Sequence, residues 1–284
     1  MADIIRVAAI QMNSGKDRER NLRKACSLIG EAAGKGAGVV ALPEAFDYRG
    51  DKRNYWRVAE YVPGDVINTL ARLAAENRIY ILCGTIIERP ADGGLFDPRH
   101  QRYYNTSVLL SPDGGVIGVY RKIHLFDLNG EPPIRESESF IPGRRVCTAK
   151  IEGHICGMAV CYDLRFPELF RRFAEVWAEM IFISSNFTYL TGVAHWEVLN
   201  RSRAVENQAF VIAPNQAGSN TATGIRSYGN TMIVGPWGKV IARAPTEGEC
   251  VIVADLDFKY LSTVRRELPA LEHIVALPPV SPAG

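Results

Sequence analysis

The segment Ile155-Cys156-Gly157-Met158-Ala159-Val160-Cys161-Tyr162-Asp163-Leu164-Arg165-Phe166-Pro167-Glu168-Leu169 changes character twice. Residues 155–160 are a short apolar run of the kind that forms a buried strand. Cys161 closes the run, and Tyr162-Asp163 opens a tight polar turn. Pro167 suits the first turn of a helix, where no N–H is needed, and Leu169, Phe170, Phe173 and Trp177 follow at helical spacing. Strand, thiol, turn and helix in that order make an elbow that presents a cysteine at a strand end. Backbone N–H groups just past the thiol can then face a developing oxyanion.

The same alternation extends outward in both directions. Upstream, residues 4–10 read as a strand, and residues 18–33 place Leu22, Ala25, Cys26, Ile29 and Ala33 on one helical face. Gly36 and Gly38 end that helix, and residues 39–42 form a buried strand that stops at Pro43-Glu44. A helix over 66–76, a strand over 79–87 and a hairpin (106–110 and 116–120 around Ser111-Pro112-Asp113-Gly114-Gly115) follow. Residues 125–143 read as a long loop. Downstream, a strand over 180–183, a helix through Trp196, Leu199, Arg203 and Gln208, and a strand over 210–213 continue the pattern. The C-terminal part reads as hairpins over 231–234, 240–243 and 251–256. Interleaved strands and helices predict a layered α/β fold in one domain spanning 1–284, with its core over about 4–269 and a tail over about 270–284.

The 284 residues are 47% hydrophobic, enough for a large core. A net charge of +2, from 33 basic and 31 acidic residues, lacks the basic excess of a nucleic-acid-binding protein. No apolar run approaches a bilayer span, and no basic, then apolar leader opens the chain. A cytoplasmic protein is the expectation. The six cysteines show no Cys-x-x-Cys pair or zinc-ligand spacing, so reduced thiols and no metal site are expected.

Three reactive side chains occupy equivalent places. Glu44 ends the strand 39–42, Lys122 follows the strand 116–120, and Cys161 ends the strand 155–160. Catalytic groups in open α/β sheets gather outside strand ends, so the three are expected to converge. A free thiol has a pKa of about 8.5 and needs an activating neighbour near neutral pH. No histidine stands beside Cys161, and a carboxylate with a nearby ammonium can do that work instead.

Ala41-Leu42-Pro43-Glu44, Tyr120-Arg121-Lys122-Ile123-His124-Leu125-Phe126 and Val160-Cys161-Tyr162-Asp163-Leu164-Arg165-Phe166-Pro167-Glu168 together resemble the nitrilase, or carbon–nitrogen hydrolase, superfamily, and its Nit branch in particular. Ala194-His195-Trp196-Glu197, 201–208 and Gly235-Pro236-Trp237-Gly238 extend the likeness from Val7 to about Pro269. The resemblance implies a four-layer α-β-β-α sandwich and a Glu-Lys-Cys set mapping onto Glu44, Lys122 and Cys161. It implies Glu136 as a second glutamate near the site, and Lys122 with the Tyr162 backbone N–H as oxyanion donors. It implies amide hydrolysis through a cysteine thioester without metal or cofactor, on a small-molecule substrate, by a homodimer or larger assembly. Arg165 is placed to grip a substrate carboxylate, and Tyr48, Phe187, Thr188 and Trp196 fall on the pocket wall by resemblance. Val193 stands where Nit proteins usually carry proline.

Each residue also has a plainer reading. Cys161 alone is most often a core thiol, and Lys122 and Glu44 alone are most often solvated strand ends. Arg165 can pair with Glu168 or Asp163. His195 reads as a helix-start residue bonded to backbone, His124 as structural, and Arg203 with Glu206 as a buried pair. Nitrilases proper carry tryptophan and glutamate after the cysteine, where Tyr162-Asp163 stand here. N-carbamoyl amide hydrolases carry an arginine-rich, tryptophan-containing flank that is absent. Acyl transfer to an amine stays open. A silent interaction scaffold is disfavoured, because it would tolerate loss of Glu44, Lys122 or Cys161.

Overall fold

The computed structural model describes residues 2–91, 102–130 and 133–276; the end of the expected tail, 277–284, lies outside them. Two sheets face each other. The first runs in the order Cys250–Asp257, Ile4–Gln11, Val39–Ala41, Tyr80–Leu82, Tyr104–Leu110, and both Ile86–Glu88 and Val116–Arg121 pair with Tyr104–Leu110. The second runs Val240–Arg243, Met232–Val234, Phe210–Ala213, Met180–Ser184, His154–Val160, Cys147–Ile151. Each sheet has a parallel centre of three strands flanked by antiparallel ones.

The layering follows from the two-residue period of a strand. In Ile4–Gln11, the side chains of Ile5, Val7 and Ala9 point at the second sheet and join Met158, Val160, Ile181 and Ile183 in one core. Ala8 and Ile10 point the other way, onto Ala25, Ile29 and Ala32 of helix Arg18–Gly34 and Leu70 and Ala74 of helix Asp65–Asn77. Helices Pro167–Glu175 and Tyr189–Asn207 cover the second sheet through Phe170, Phe173, Trp196 and Ala204. Gly157 makes room for this cover, since a Cβ there would lie 2.6 Å from the Phe173 ring. The expected α-β-β-α sandwich is therefore the observed one.

Several boundaries move for physical reasons. The strand read as continuous over 79–87 is two strands, broken around Gly84 (φ +50), where a Cβ would meet the Pro43 carbonyl oxygen at 2.1 Å. The helix after Cys161 ends at Glu175, and Trp177 turns out in the left-handed region, exposed. The last strand leaves the C-terminal hairpin and pairs along Ile4–Gln11 in the other sheet. The loop 125–143 contains a short hairpin, Asp127–Leu128 with Ile134–Arg135, and a 3₁₀ turn over Glu136–Glu138.

Candidate active site

Glu44, Lys122 and Cys161 each follow a strand, two in the first sheet and one in the second, and the face-to-face packing brings those ends together. Lys122 Nζ donates to Glu44 Oε1 at 2.9 Å and to Glu136 Oε1 and Oε2 at 2.9 and 2.8 Å. Asn105 Nδ2 donates to Glu44 Oε1 at 2.8 Å and Glu136 Oε1 at 3.1 Å, and the Asn186 N–H donates to Glu44 Oε2 at 2.9 Å. Glu136 is held in place by the Phe126 N–H, 2.5 Å from its Oε2. Lys122 is only 2% exposed, so the bland surface reading fails for it; its neighbour Arg121 turns outward to Glu88.

The backbone at both strand ends is unusual. Cys161 has φ +47 and Ala45, next to Glu44, has φ +55. Non-glycine residues adopt that region rarely and at a cost, and they concentrate at functional sites. On the acid side, the Ala45 N–H is caught by Thr85 Oγ1 at 2.8 Å, and the Gly84 backbone passes directly under Pro43. On the thiol side, Asp163 is the lock. Its Oδ2 accepts from Tyr120 Oη at 2.7 Å and from the Val160 N–H at 2.9 Å, and its Oδ1 from the His124 N–H at 3.0 Å. His124 Nδ1 lies 2.7 Å from the same Oδ1 and its ring stacks on Phe166. Arg203 completes the elbow by donating to the Leu164 carbonyl at 2.7 Å and to Glu206 at 2.7 Å.

Electrostatics set the resting protonation. Burial pushes the Cys161 thiol well above its ordinary pKa, and the Glu44 charge adds to this, while Lys122 and the Asn186 N–H pull the other way. Burial also works against a charged Lys122, but Glu136, Glu44 and Cys161 together hold its pKa well above normal. Burial raises Glu136, with Glu44 adding to it and Lys122 opposing. The resting site thus sets a neutral thiol beside the Lys122 amine and the carboxyl groups of Glu44 and Glu136. That arrangement suits proton removal by an adjacent base at the moment of attack. A cavity of about 430 Å³ opens onto Glu44, Lys122, Glu136 and Cys161.

A carbon–nitrogen hydrolase family model matches residues 6–266. The chain belongs to the carbon–nitrogen hydrolase family. It is 36% identical to the omega-amidase of Homo sapiens over 266 residues, covering 93% of this chain and 92% of that protein. It is 39% identical to the deaminated glutathione amidase of Bos taurus over 272 residues, covering 94% and 81%. Among solved structures, Saccharomyces cerevisiae Nit3, a member of branch 10 of the nitrilase superfamily, superposes with TM-score 0.83 at 32% identity, covering 95% and 96%. The sequence resemblance to the Nit branch is thereby borne out, and the chain is a hydrolase of carbon–nitrogen bonds other than peptide bonds.

The expected substrate contacts of this carbon–nitrogen hydrolase divide. Tyr48 lines the cavity. Trp196 does not, because its ring is fully buried and its indole N–H donates to the Asn230 carbonyl at 2.8 Å. Phe187 packs on Trp196 instead, and Thr188 stands at the residue before helix Tyr189–Asn207 with its Oγ1 2.8 Å from Thr191 Oγ1. Arg165 lies outside the cavity wall, half-buried over Phe187 and Tyr162, with Nη1 3.2 Å from His195 Nδ1. Neither plain reading of Arg165 holds, since Asp163 is committed elsewhere and Arg165 meets no carboxylate among the described residues. His195 is well inside its helix, not at its start.

Sequence reading missed Asn105, Asn186, Asp163 and Arg49. Asn105-Thr106-Ser107 is a polar run inside a buried strand, a signal that polar groups are needed there. Asn186 acts through its backbone and leaves no such signal. No group of three His, Cys, Asp or Glu side chains among the described residues is placed to hold a metal ion.

Proposed function

We propose that this enzyme hydrolyses the carboxamide of a small carboxylate-bearing substrate through a thioester on Cys161. The observation that carries the reading is the buried Lys122, bonded at once to Glu44 and Glu136 beside a thiol held at φ +47. Both similar relatives quoted above are named as amidases. Glu44 takes the thiol proton as sulfur attacks the amide carbon, and the carbonyl π pair moves onto oxygen. The Lys122 ammonium and the Tyr162 N–H stabilise that oxyanion; the first N–H groups of a helical turn have no partner within it. The C–N bond breaks as the carbonyl re-forms, and the departing nitrogen takes the proton from Glu44. Glu44 then removes a proton from water as the oxygen attacks the thioester, and the C–S bond breaks as sulfur takes that proton back from Glu44, restoring the thiol and the carboxylate. Glu136 keeps Lys122 charged and in place. Arg165, which meets no carboxylate among the described residues, stands outside the cavity wall, where a substrate that extends past that wall would bring one to it.

The test is ammonia release from a panel of carboxylate-bearing amides, neutral amides, carbamoyl compounds and nitriles, run with wild type and Cys161→Ala. Cysteine-dependent turnover fastest on a carboxylate-bearing amide, with an acyl adduct on Cys161 by mass spectrometry, is the expected result. Preference for nitriles or carbamoyl compounds, or turnover that survives Cys161→Ala, overturns the reading.

The partner is proposed to be a second copy of the chain. Helix Tyr189–Asn207 buries Trp196, Asn200, Arg203 and Asn207 but exposes Leu190, Val193, Val198 and Val205. Exposed Trp237 stands in the turn that packs on Val205 and accepts from Arg201. These exposed apolar side chains, interleaved with the Glu197–Arg201 ion pair, call for a cover. Light scattering of a dimeric wild type and a monomeric Val198→Glu is expected; a monomeric wild type rules the dimer out. No helix among the described residues is long and apolar enough to cross a membrane, and the six free cysteines support the cytoplasmic location proposed.

A further inference from the structure

The cavity wall carries a guanidinium that the chemistry at Cys161 does not use. Arg49 lines the same cavity as Cys161, Lys122 and Glu44, and it is 6% exposed. Its partners are all neutral: Ser227 Oγ at 3.1 Å, Gln216 Oε1 at 3.3 Å, the Ile225 carbonyl at 3.4 Å and Asn13 Oδ1 at 3.5 Å. Three of these four are long for hydrogen bonds, and Nε has no acceptor among the described residues. No carboxylate lies within ion-pair distance of Arg49 among those residues, although the two other buried Arg or Lys side chains among them each have one: Lys122 with Glu44 and Glu136, Arg203 with Glu206. A buried charge without a contacting counter-ion is costly, and burial pulls the guanidinium pKa down to about 10, with the more distant Glu44 charge opposing it only in part.

Two readings compete. Arg49 can be a brace, since Gln216 in turn donates to the Glu44 carbonyl at 3.0 Å. It can also be an incomplete ion pair whose missing half arrives with the ligand. Bracing asks only for neutral donors and gives no reason for a permanent charge in a buried wall. The planar fork of an arginine matches a carboxylate, and the cavity gives such a group access. We propose that Arg49 is an anion-anchoring residue of the active-site cavity, distinct from Arg165, that binds an acidic group of the amide substrate. This deepens the amidase reading and rests on it. It further implies a substrate that reaches from Cys161 to the Arg49 wall and carries its acidic group at that end.

The experiment compares pairs of amides that differ only in a terminal carboxylate or its neutral ester, and reads kcat/KM for each in wild type, Arg49→Gln, Arg49→Lys and Arg165→Gln. Wild type should favour the acid-ended member. Arg49→Gln should lower the acid-over-neutral ratio on the order of ten- to a hundredfold, the weight of a hydrogen-bonded charge pair, mostly through KM. Arg49→Lys, which keeps the charge without the fork, should recover part of the ratio. A brace lowers both members together, mostly through kcat, and leaves the ratio unchanged; that result overturns the proposal. So does a ratio that collapses only in Arg165→Gln, or a wild type with no preference for the acid. Absence of Cys161-dependent turnover on every pair defeats the amidase reading itself, which separates the two failures.

Discussion

The acid and the thiol sit at two elbows of similar shape, and each elbow carries a buried aspartate a few residues on: Asp47 after Glu44, Asp163 after Cys161. Asp163 is satisfied at both oxygens by neighbours from its own turn and from the segment around Lys122. Asp47 receives only Arg18 Nε, at 3.1 Å on Oδ2, and its Oδ1 has no hydrogen-bond partner. Burial leads the effects that raise the Asp47 pKa to about 6, with Arg18 opposing. The thiol elbow is thus fixed by an aspartate whose two oxygens are both filled by hydrogen bonds. The acid elbow is held by a cluster of buried charges, each dependent on the others. Such charge clusters confer geometry more than stability.

The largest effect should come from removing the centre of that cluster. Lys122→Met leaves Glu44 and Glu136 facing each other without a cation, and breaking a buried pair from one side costs about 3–5 kcal/mol. Chemical denaturation should show that loss, and turnover should fall by more than about a thousandfold with the oxyanion donor gone. Retained stability at neutral pH would mean the lysine is not the charge that holds the two carboxylates. On the thiol elbow, Asp163→Asn keeps the shape and loses a charge-assisted set of bonds. A smaller loss, about 1–3 kcal/mol, is expected there. An equal loss at both elbows would erase the contrast between them.

Gly84→Ala probes the acid elbow without touching a charge. The position has φ +50 and a Cβ would approach the Pro43 oxygen to 2.1 Å, so the backbone beneath Glu44 must shift. Left-handed strain together with overpacking amounts to about 2–4 kcal/mol. The expected signature is a fall in kcat alongside the lowered melting temperature, because Glu44 moves with Pro43. A destabilised variant with unchanged kcat would show that Glu44 is positioned from its other side, by Asn105, Asn186 and Lys122 alone.

The elbows also differ in how far the sequence exposes them. Glu44, Lys122 and Cys161 are legible as strand-end residues, and the family motifs around them, not the strand pattern alone, mark them as a set. The layered α/β class is legible in the interleaved strands and helices, whereas the sandwich follows from the family resemblance, because periodicity alone does not stack two sheets. Asp163 hides because an aspartate in a turn has many plain explanations, and only the approach of Tyr120 and His124 reveals its task. Arg49 and Asp47 hide for a related reason. Their meaning lies in the absence of a partner, or in one from Arg18, Gln216 or Ser227, and local pattern carries no trace of either. Trp196 misleads in the opposite sense: it sits in a family motif, but its helix turns it into the core and away from the cavity.

The finest test of the contrast is the pH dependence of Asp47. Its pKa in the folded protein is raised to about 6, against about 3.9 in an unfolded chain. Folding therefore takes up a proton between those values. The stabilising contribution of the protonated carboxyl is present below about pH 4 and is lost as pH rises through 6. At about 1.4 kcal/mol per pKa unit, the loss amounts to about 3 kcal/mol at most. Asp47→Asn mimics the protonated form at every pH, so it should match wild type near pH 4 and become the more stable protein above pH 6. Unfolding free energies of the two proteins at pH 4 and pH 8 measure this directly. A gap that stays flat between those pH values, or that opens in favour of wild type, would show that Arg18 compensates Asp47 fully. In that case the two aspartates would be equivalent, and the acid elbow would be no more strained than the elbow that carries the thiol.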